Sequence, residues 1–117
     1  MSFSTRANVA INKLEKQGNF CKDENGQCFY QNANNSCIIG HIMPDFRTRQ
    51  KADNYGESGI SDLIANKVIP EFTDQFSEKE ENILVDLQLL HDTYSGTFEN
   101  AILKMRRVVQ EHKEGIK

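Results

Sequence analysis

Cysteine is scarce in this sequence: three in 117 residues, an odd number that does not close into a disulfide framework. No apolar run approaches the ~20 residues of a membrane span. The amino end, MSFSTRANVAINKLEKQGN, lacks the apolar stretch of a secretory signal. Basic residues are not in surplus either. Fourteen Lys and Arg stand against 17 Asp and Glu, a formal net charge of −3, which disfavours general binding to nucleic acid. Neither an internal repeat nor a low-complexity segment is present. These absences lead to the expectation of a soluble chain in the cytoplasm of a cell, away from membranes, with thiols reduced unless a metal holds them.

The composition that remains supports folding. Apolar content of 38% and aromatic content of 9% suit one domain spanning residues 1–117 with one modest core. Charge is uneven along the chain. Residues 1–58 carry seven basic and six acidic side chains, and residues 59–117 carry seven and eleven, which fits a solvated helical surface in the second half. A chain this short often gains stability by pairing, so a homodimer is a further expectation.

Periodicity predicts four helices. In STRANVAINKLEKQGN, Ala7, Ala10, Ile11 and Leu14 form one stripe, with Ser4 as the expected cap and Gly18 as the stop. ISDLIANKVI places Ile60, Leu63, Ile64 and Val68 on one face ahead of Pro70. Ser77 and Glu80 form a capping box before EKEENILVDLQLLHDTY, whose expected buried stripe is Ile83, Leu87, Leu90 and Tyr94. FENAILKMRRVVQEHKEG closes the chain with Phe98, Ile102, Met105 and Val109 turned inward. QCFYQ and SCIIGHIM, separated by the turn-rich NANN, predict a small antiparallel hairpin. PDFRTRQKADNYGESG predicts a loop with at most one helical turn. The expected fold is therefore α+β, mostly helical, in the order α-ββ-α-α-α.

All three cysteines and the first histidine fall between residues 21 and 41, in CKDENGQCFYQNANNSCIIGH. Cys21, Cys28, Cys37 and His41 supply the donor types that wrap tetrahedral zinc, in an order similar to CCCH fingers. A zinc-stapled nucleic-acid-binding module is therefore one alternative reading, with zinc as its cofactor. Against it, the segment is nearly neutral, and on a strand Ile39 would stand between Cys37 and His41. Cys37 then reads as a small buried hydrophobe. A nucleophilic thiol needs a nearby base, and only His41, His91 and His112 are on offer.

LQLLHDTY places His91 beside Asp92 near a helix end. Adjacent His and Asp can be two ligands of a metal-dependent phosphohydrolase, a second alternative that needs another histidine and aspartate, such as His41 and Asp45. The bland reading has Asp92 solvated and His91 hydrogen-bonded at the helix end. Asp45, Arg47, Arg49 and Lys51 follow the expected hairpin as a mixed-charge loop suited to recognition.

Taken together, QGN at 17–19, CFY at 28–30, CIIGHIMPD at 37–45 and LQLLHD at 87–92 resemble the shared pattern of a family of small proteins of tailed phages and prophages. The resemblance runs from the first helix into the last. It implies a phage-type accessory protein, and the family brings no established activity. Its pattern covers Cys28, Tyr30, Cys37, Gly40, Asp45, Gln88, His91 and Asp92, and it asks for neither Cys21 nor His41. The polar members of that set either converge in a pocket or form a buried hydrogen-bond network. The resulting expectation is a non-enzymatic binding protein without a cofactor, acting in a bacterial host cell on a host protein or small ligand. Candidate contacts are Tyr30, Gly40, Asp45, Arg47, Arg49, Gln88, His91 and Asp92. One concrete version sequesters a nucleotide defence signal, with Arg47 or Arg49 meeting phosphate.

Overall fold

The computed structural model describes residues 2–20, 30–32, 35–55 and 59–113. Seven helices and one very short strand pair occur among them: α1 (Phe3–Gln17), β1 (Gln31–Asn32), β2 (Asn35–Ser36), α2 (Ile38–Ile42), α3 (Phe46–Asn54), α4 (Ile60–Ala65), α5 (Pro70–Thr73), α6 (Glu78–Thr93) and α7 (Phe98–Lys113). The only extended pairing among the described residues sets Gln31 opposite Ser36 and Asn32 opposite Asn35. Two residues a side make no sheet layer. The expected α+β class, with its hairpin leaning on four helices, is thereby overturned: the chain is mostly helical.

The main error lies in SCIIGHIM. Its run of isoleucines matches a buried strand, but periodicity cannot separate a short continuous apolar run from a buried helix. Cys37 decides the matter locally. It is extended and caps α2, its Sγ accepting the Gly40 N–H at 3.3 Å, and His41 N–H bonds to the Cys37 carbonyl at 2.9 Å. Ile38, Ile39, Gly40 and Ile42 are all buried, and only His41 of α2 is partly exposed. Five residues cannot hold a helix in water alone. Tertiary contacts with α1 and α6 supply the stability here.

The loop expected after it is also helical. Asp45 caps α3 by accepting the Thr48 N–H at 2.8 Å, and the helix runs nine residues. Its one buried side chain is Ala52, so no apolar stripe announced it. Pro70 stands in the first turn of α5, inside a segment expected to be loop, where its missing N–H costs nothing. α4 ends at Ala65, earlier than expected, and Lys67 turns the chain out with a φ of 50°.

The three long helices follow their stripes. α1 begins two residues earlier than expected: Ser2, not Ser4, caps it by accepting the Thr5 N–H at 3.2 Å. Gly18 ends it in the left-handed region at φ 87°, its N–H reaching the Leu14 carbonyl at 3.1 Å. The capping box at α6 is formed in both directions, with Ser77 and Glu80 bonded at 2.8 and 3.1 Å. α6 buries Ile83, Leu84, Leu87 and His91, while Leu90 is only partly covered. α7 buries Ala101, Ile102, Met105 and Val109.

α7 lies between α1 and α6, and α2 touches both of them from within. Ala7, Ala10, Ile11 and Leu14 of α1 join Leu84 and Leu87 of α6 and Met105 of α7 in the core. Full burial of each leucine or isoleucine contributes about 1.5–3 kcal/mol. No helix among the described residues is long and apolar enough to cross a membrane.

Gly40 is where α2 is fixed in place. A β-carbon there would overlap the carbonyl oxygen of Tyr30, and it would also press on Ser36. The backbone of residue 30 therefore seats directly on the helix. Gly40→Ala should destabilise the fold by roughly 1–3 kcal/mol, the usual cost of overpacking. Urea denaturation followed by circular dichroism measures it, and an unchanged midpoint would disprove the close approach.

Candidate functional site

The side chains nominated from the sequence fall into three groups. The first is a polar seam through the middle of the molecule. Tyr30 is buried, and its N–H donates to Asp53 Oδ1 on α3 at 2.8 Å. Its hydroxyl accepts from Gln88 Nε2 on α6 at 3.0 Å. The other end of the same amide, Gln88 Oε1, accepts the Ile60 N–H at the start of α4 at 2.6 Å. One glutamine thus ties α6 to both the Tyr30 segment and α4. Burial pushes the Tyr30 hydroxyl above its usual pKa, against the opposing pull of the Gln88 hydrogen bond. Burial outweighs that pull, and the phenol stays neutral.

Gly40 and Arg49 extend this seam. Arg49 Nη1 on α3 donates to the Gly40 carbonyl at 3.0 Å and the Met43 carbonyl at 3.2 Å, closing the carboxyl end of α2. A guanidinium so placed also meets the negative end of that helix. Its Nε is buried and finds no partner among the described residues.

The second group is His91 with Asp92. His91 is fully buried, its Nδ1 2.8 Å from Asp92 Oδ1. The carboxylate can only accept, so Nδ1 carries the proton. The ring meets Phe20 edge-on at 4.7 Å, and Phe20 meets Phe98 at 5.0 Å. His91 lies three residues beyond Gln88 on α6 and belongs to the same side of the interior.

The third group stands apart. Asp45 is exposed at the head of α3, where its carboxylate accepts from both the N–H and the hydroxyl of Thr48 at 2.8 Å. The Thr48 N–H, then its hydroxyl, hold the Asp45 carboxyl below its usual pKa, with Arg49 and Arg47 adding to the effect. Arg47 is exposed on the same helix. Neither side chain joins the Tyr30–Gln88 seam.

Of the proposed zinc ligands, Cys21 and Cys28 lie outside the described residues. Cys37 Sγ serves as the cap of α2, and His41 Nε2 lies 2.9 Å from Gln17 Oε1. Gln17 Oε1 also accepts the Ser36 N–H at 3.0 Å, while its amide nitrogen donates to the Asn19 carbonyl. That fixes the amide orientation, so His41 Nε2 must be the donor. Burial lowers the His41 pKa to about 4, with Lys13, Arg49 and His91 adding repulsion. Among the described residues, no group of three or more His, Cys, Asp or Glu side chains is placed to hold a metal ion.

Of the set Tyr30, Gly40, Asp45, Gln88, His91 and Asp92 drawn from the sequence, the structure bonds Tyr30 to Gln88 and His91 to Asp92 and leaves Asp45 apart. Sequence reasoning missed Gln17, Asp53 and Phe20. Gln17 carried one signal, its place directly before the Gly18 stop. Asp53 carried none, because α3 itself was not foreseen. No family model matches the chain, and no curated protein or solved structure matches it either.

Two outcomes test this geometry. Tyr30→Phe strips Gln88 Nε2 of its acceptor and should cost about 1–2 kcal/mol, whereas Gln88→Leu, which loses both bonds, should cost more. In a double-mutant cycle the two should couple by at least ~0.5 kcal/mol; strict additivity would show that they do not touch. His41 sets a pH dependence. Its folded pKa lies below the unfolded value of 6.5, so between pH 6.5 and about 4 the unfolded chain binds a proton that the native chain refuses. Its contribution to stability is full above pH 6.5 and is lost as pH falls toward 4. His41→Gln should flatten that slope by an amount on the order of 1 kcal/mol per pH unit or less, after allowance for solvent screening. Parallel stability curves for parent and variant would refute the assignment.

Proposed function

We propose that this chain is a non-enzymatic accessory protein of phage type that works in the cytoplasm of a bacterial host cell by binding a host protein or small ligand. The observation that carries this reading is the occupation of its polar side chains. Gln88 is bonded at both ends, Arg49 closes α2, Asp45 caps α3, and His91 is buried against Asp92. Groups committed to holding helices together are poorly placed to exchange protons or ligands with a substrate, which favours recognition by an outer surface. The resemblance of CIIGHIMPD and LQLLHD to phage and prophage proteins points the same way. In the nucleotide-sequestering version the phosphate contact falls to Arg47, since Arg49 is engaged by two carbonyls.

Native mass spectrometry of protein purified from bacterial cytoplasm tests the reading, with a cyclic-nucleotide panel for the sequestering version. A complex of fixed stoichiometry with a host protein or small molecule is the expected result. His91→Ala separates binding from hydrolysis. Removal of a fully buried ring should cost roughly 2–4 kcal/mol of stability. A variant that keeps its fold while losing metal-dependent phosphohydrolase turnover would overturn the proposal in favour of an enzyme.

A further inference from the structure

Charge is segregated in this fold. The packed helices α1 and α7 carry seven of the chain's 14 basic residues and only three of its 17 acidic ones. Residues 59–93 carry eight acidic and two basic residues. Among the acidic ones Asp62, Glu71, Asp74 and Glu78 are exposed. In a chain with an overall charge of −3, the α1 and α7 segments are thus net basic and the 59–93 segment strongly acidic.

The basic surface has an apolar centre. Leu103 of α7 is 63% exposed, and it lines a shallow hollow of about 790 Å³ together with Asn8, Arg106, Arg107, Gln110 and Glu111. Arg106 is held there by Asn12 and Glu15 of α1, both at 2.9 Å. Arg107 is 80% exposed and only loosely paired with Glu111 at 3.9 Å. An exposed leucine ringed by amides and guanidinium groups has the make-up of a protein interface, an apolar centre with a polar rim.

The two surfaces also border each other. Phe3 of α1 meets Phe76 at 5.8 Å and His112 of α7 at 5.3 Å. Arg6 donates to Gln75 at 2.9 Å and lies 5.1 Å over the Phe76 ring. The stretch from Glu71 to Glu78 is therefore joined to α1 at Gln75 and Phe76, and Glu71 at its start lies 3.9 Å from Lys51 of α3.

We propose that the outer face of α7, centred on Leu103, is a self-association surface whose occupant is the acidic 71–78 surface of a second copy of this chain. In this pairing a single two-fold operation sets each copy's α7 face on the other's 71–78 stretch, and the pair is closed. Opposed charges orient the partners, and Leu103 supplies the apolar contact.

Sedimentation velocity on the full chain, over a range of concentrations and salt, tests the pairing. The expected result is a concentration-dependent dimer at low ionic strength, weakened roughly ten-fold or more at high salt. Arg107→Glu and Glu78→Lys, both at exposed positions, should each weaken dimerisation by about ten-fold or more while leaving the circular dichroism unchanged. The double variant should regain the dimer, because each reversed charge then faces a reversed partner. A monomer at every concentration in low salt would overturn the proposal. So would a dimer indifferent to both reversals, or a monomer whose α7 face instead binds a short RNA in a salt-dependent way.

Discussion

The seat of Gly40 on the Tyr30 carbonyl is the contact on which the rest of this architecture depends. It brings a backbone carbonyl against a helix at a spacing that no other residue allows. α2 is too short to persist by its own hydrogen bonds. It persists because Cys37 caps its start, Arg49 closes its end, and its isoleucines are buried against α1 and α6. Once α2 is seated, the Tyr30 ring is committed to the interior, and its hydroxyl must find a donor. Gln88 provides one and passes the constraint on to α4 through the Ile60 N–H. A small residue at position 40 thus sets the relation of α2, α4 and α6.

The polar seam does what apolar packing alone does poorly. Leucine and isoleucine faces tolerate sliding, whereas an amide bonded at both ends accepts one register only. The same holds for Gln17, whose carbonyl gathers the Ser36 N–H and the His41 ring at the end of α1. α3 is the extreme case. With Ala52 as its one buried side chain, it is held by Arg49 and Asp53 acting on α2 and Tyr30. Few apolar contacts and tethers of this kind place α3 toward the low end of local stability.

What was legible in the sequence follows from the same physics. α1, α6 and α7 pack one face each against the core, so their stripes repeat at helical spacing and their caps are written in Ser77, Glu80 and Gly18. α2 is buried except at His41, and a five-residue helix with so little exposed face leaves no period to read. Its β-branched residues then pointed to a strand. α3 failed for the opposite reason, since a helix docked by charged and polar groups leaves no apolar period. Tyr30 and Gln88 were legible only as members of one set of polar candidates, and their backbone partners were not legible at all. Main-chain groups such as the Ile60 N–H carry no residue-type signal.

These constraints bear on where binding can occur. Gln88, bonded at both ends, gains little from opening, since each of its groups must lose a well-made partner before meeting a ligand. The outer face of α7 has no such cost. Leu103 is already in water, and Arg107 has only a distant carboxylate to give up. Covering that leucine recovers apolar burial that the monomer forgoes. The segregation of charge determines the kind of surface that can approach: an acidic one is drawn to α1 and α7, and a basic one is repelled. In the proposed pairing, interior order and surface recognition are divided between different residues, with Gly40, Tyr30 and Gln88 holding the frame and Leu103 and Arg107 exposed on α7.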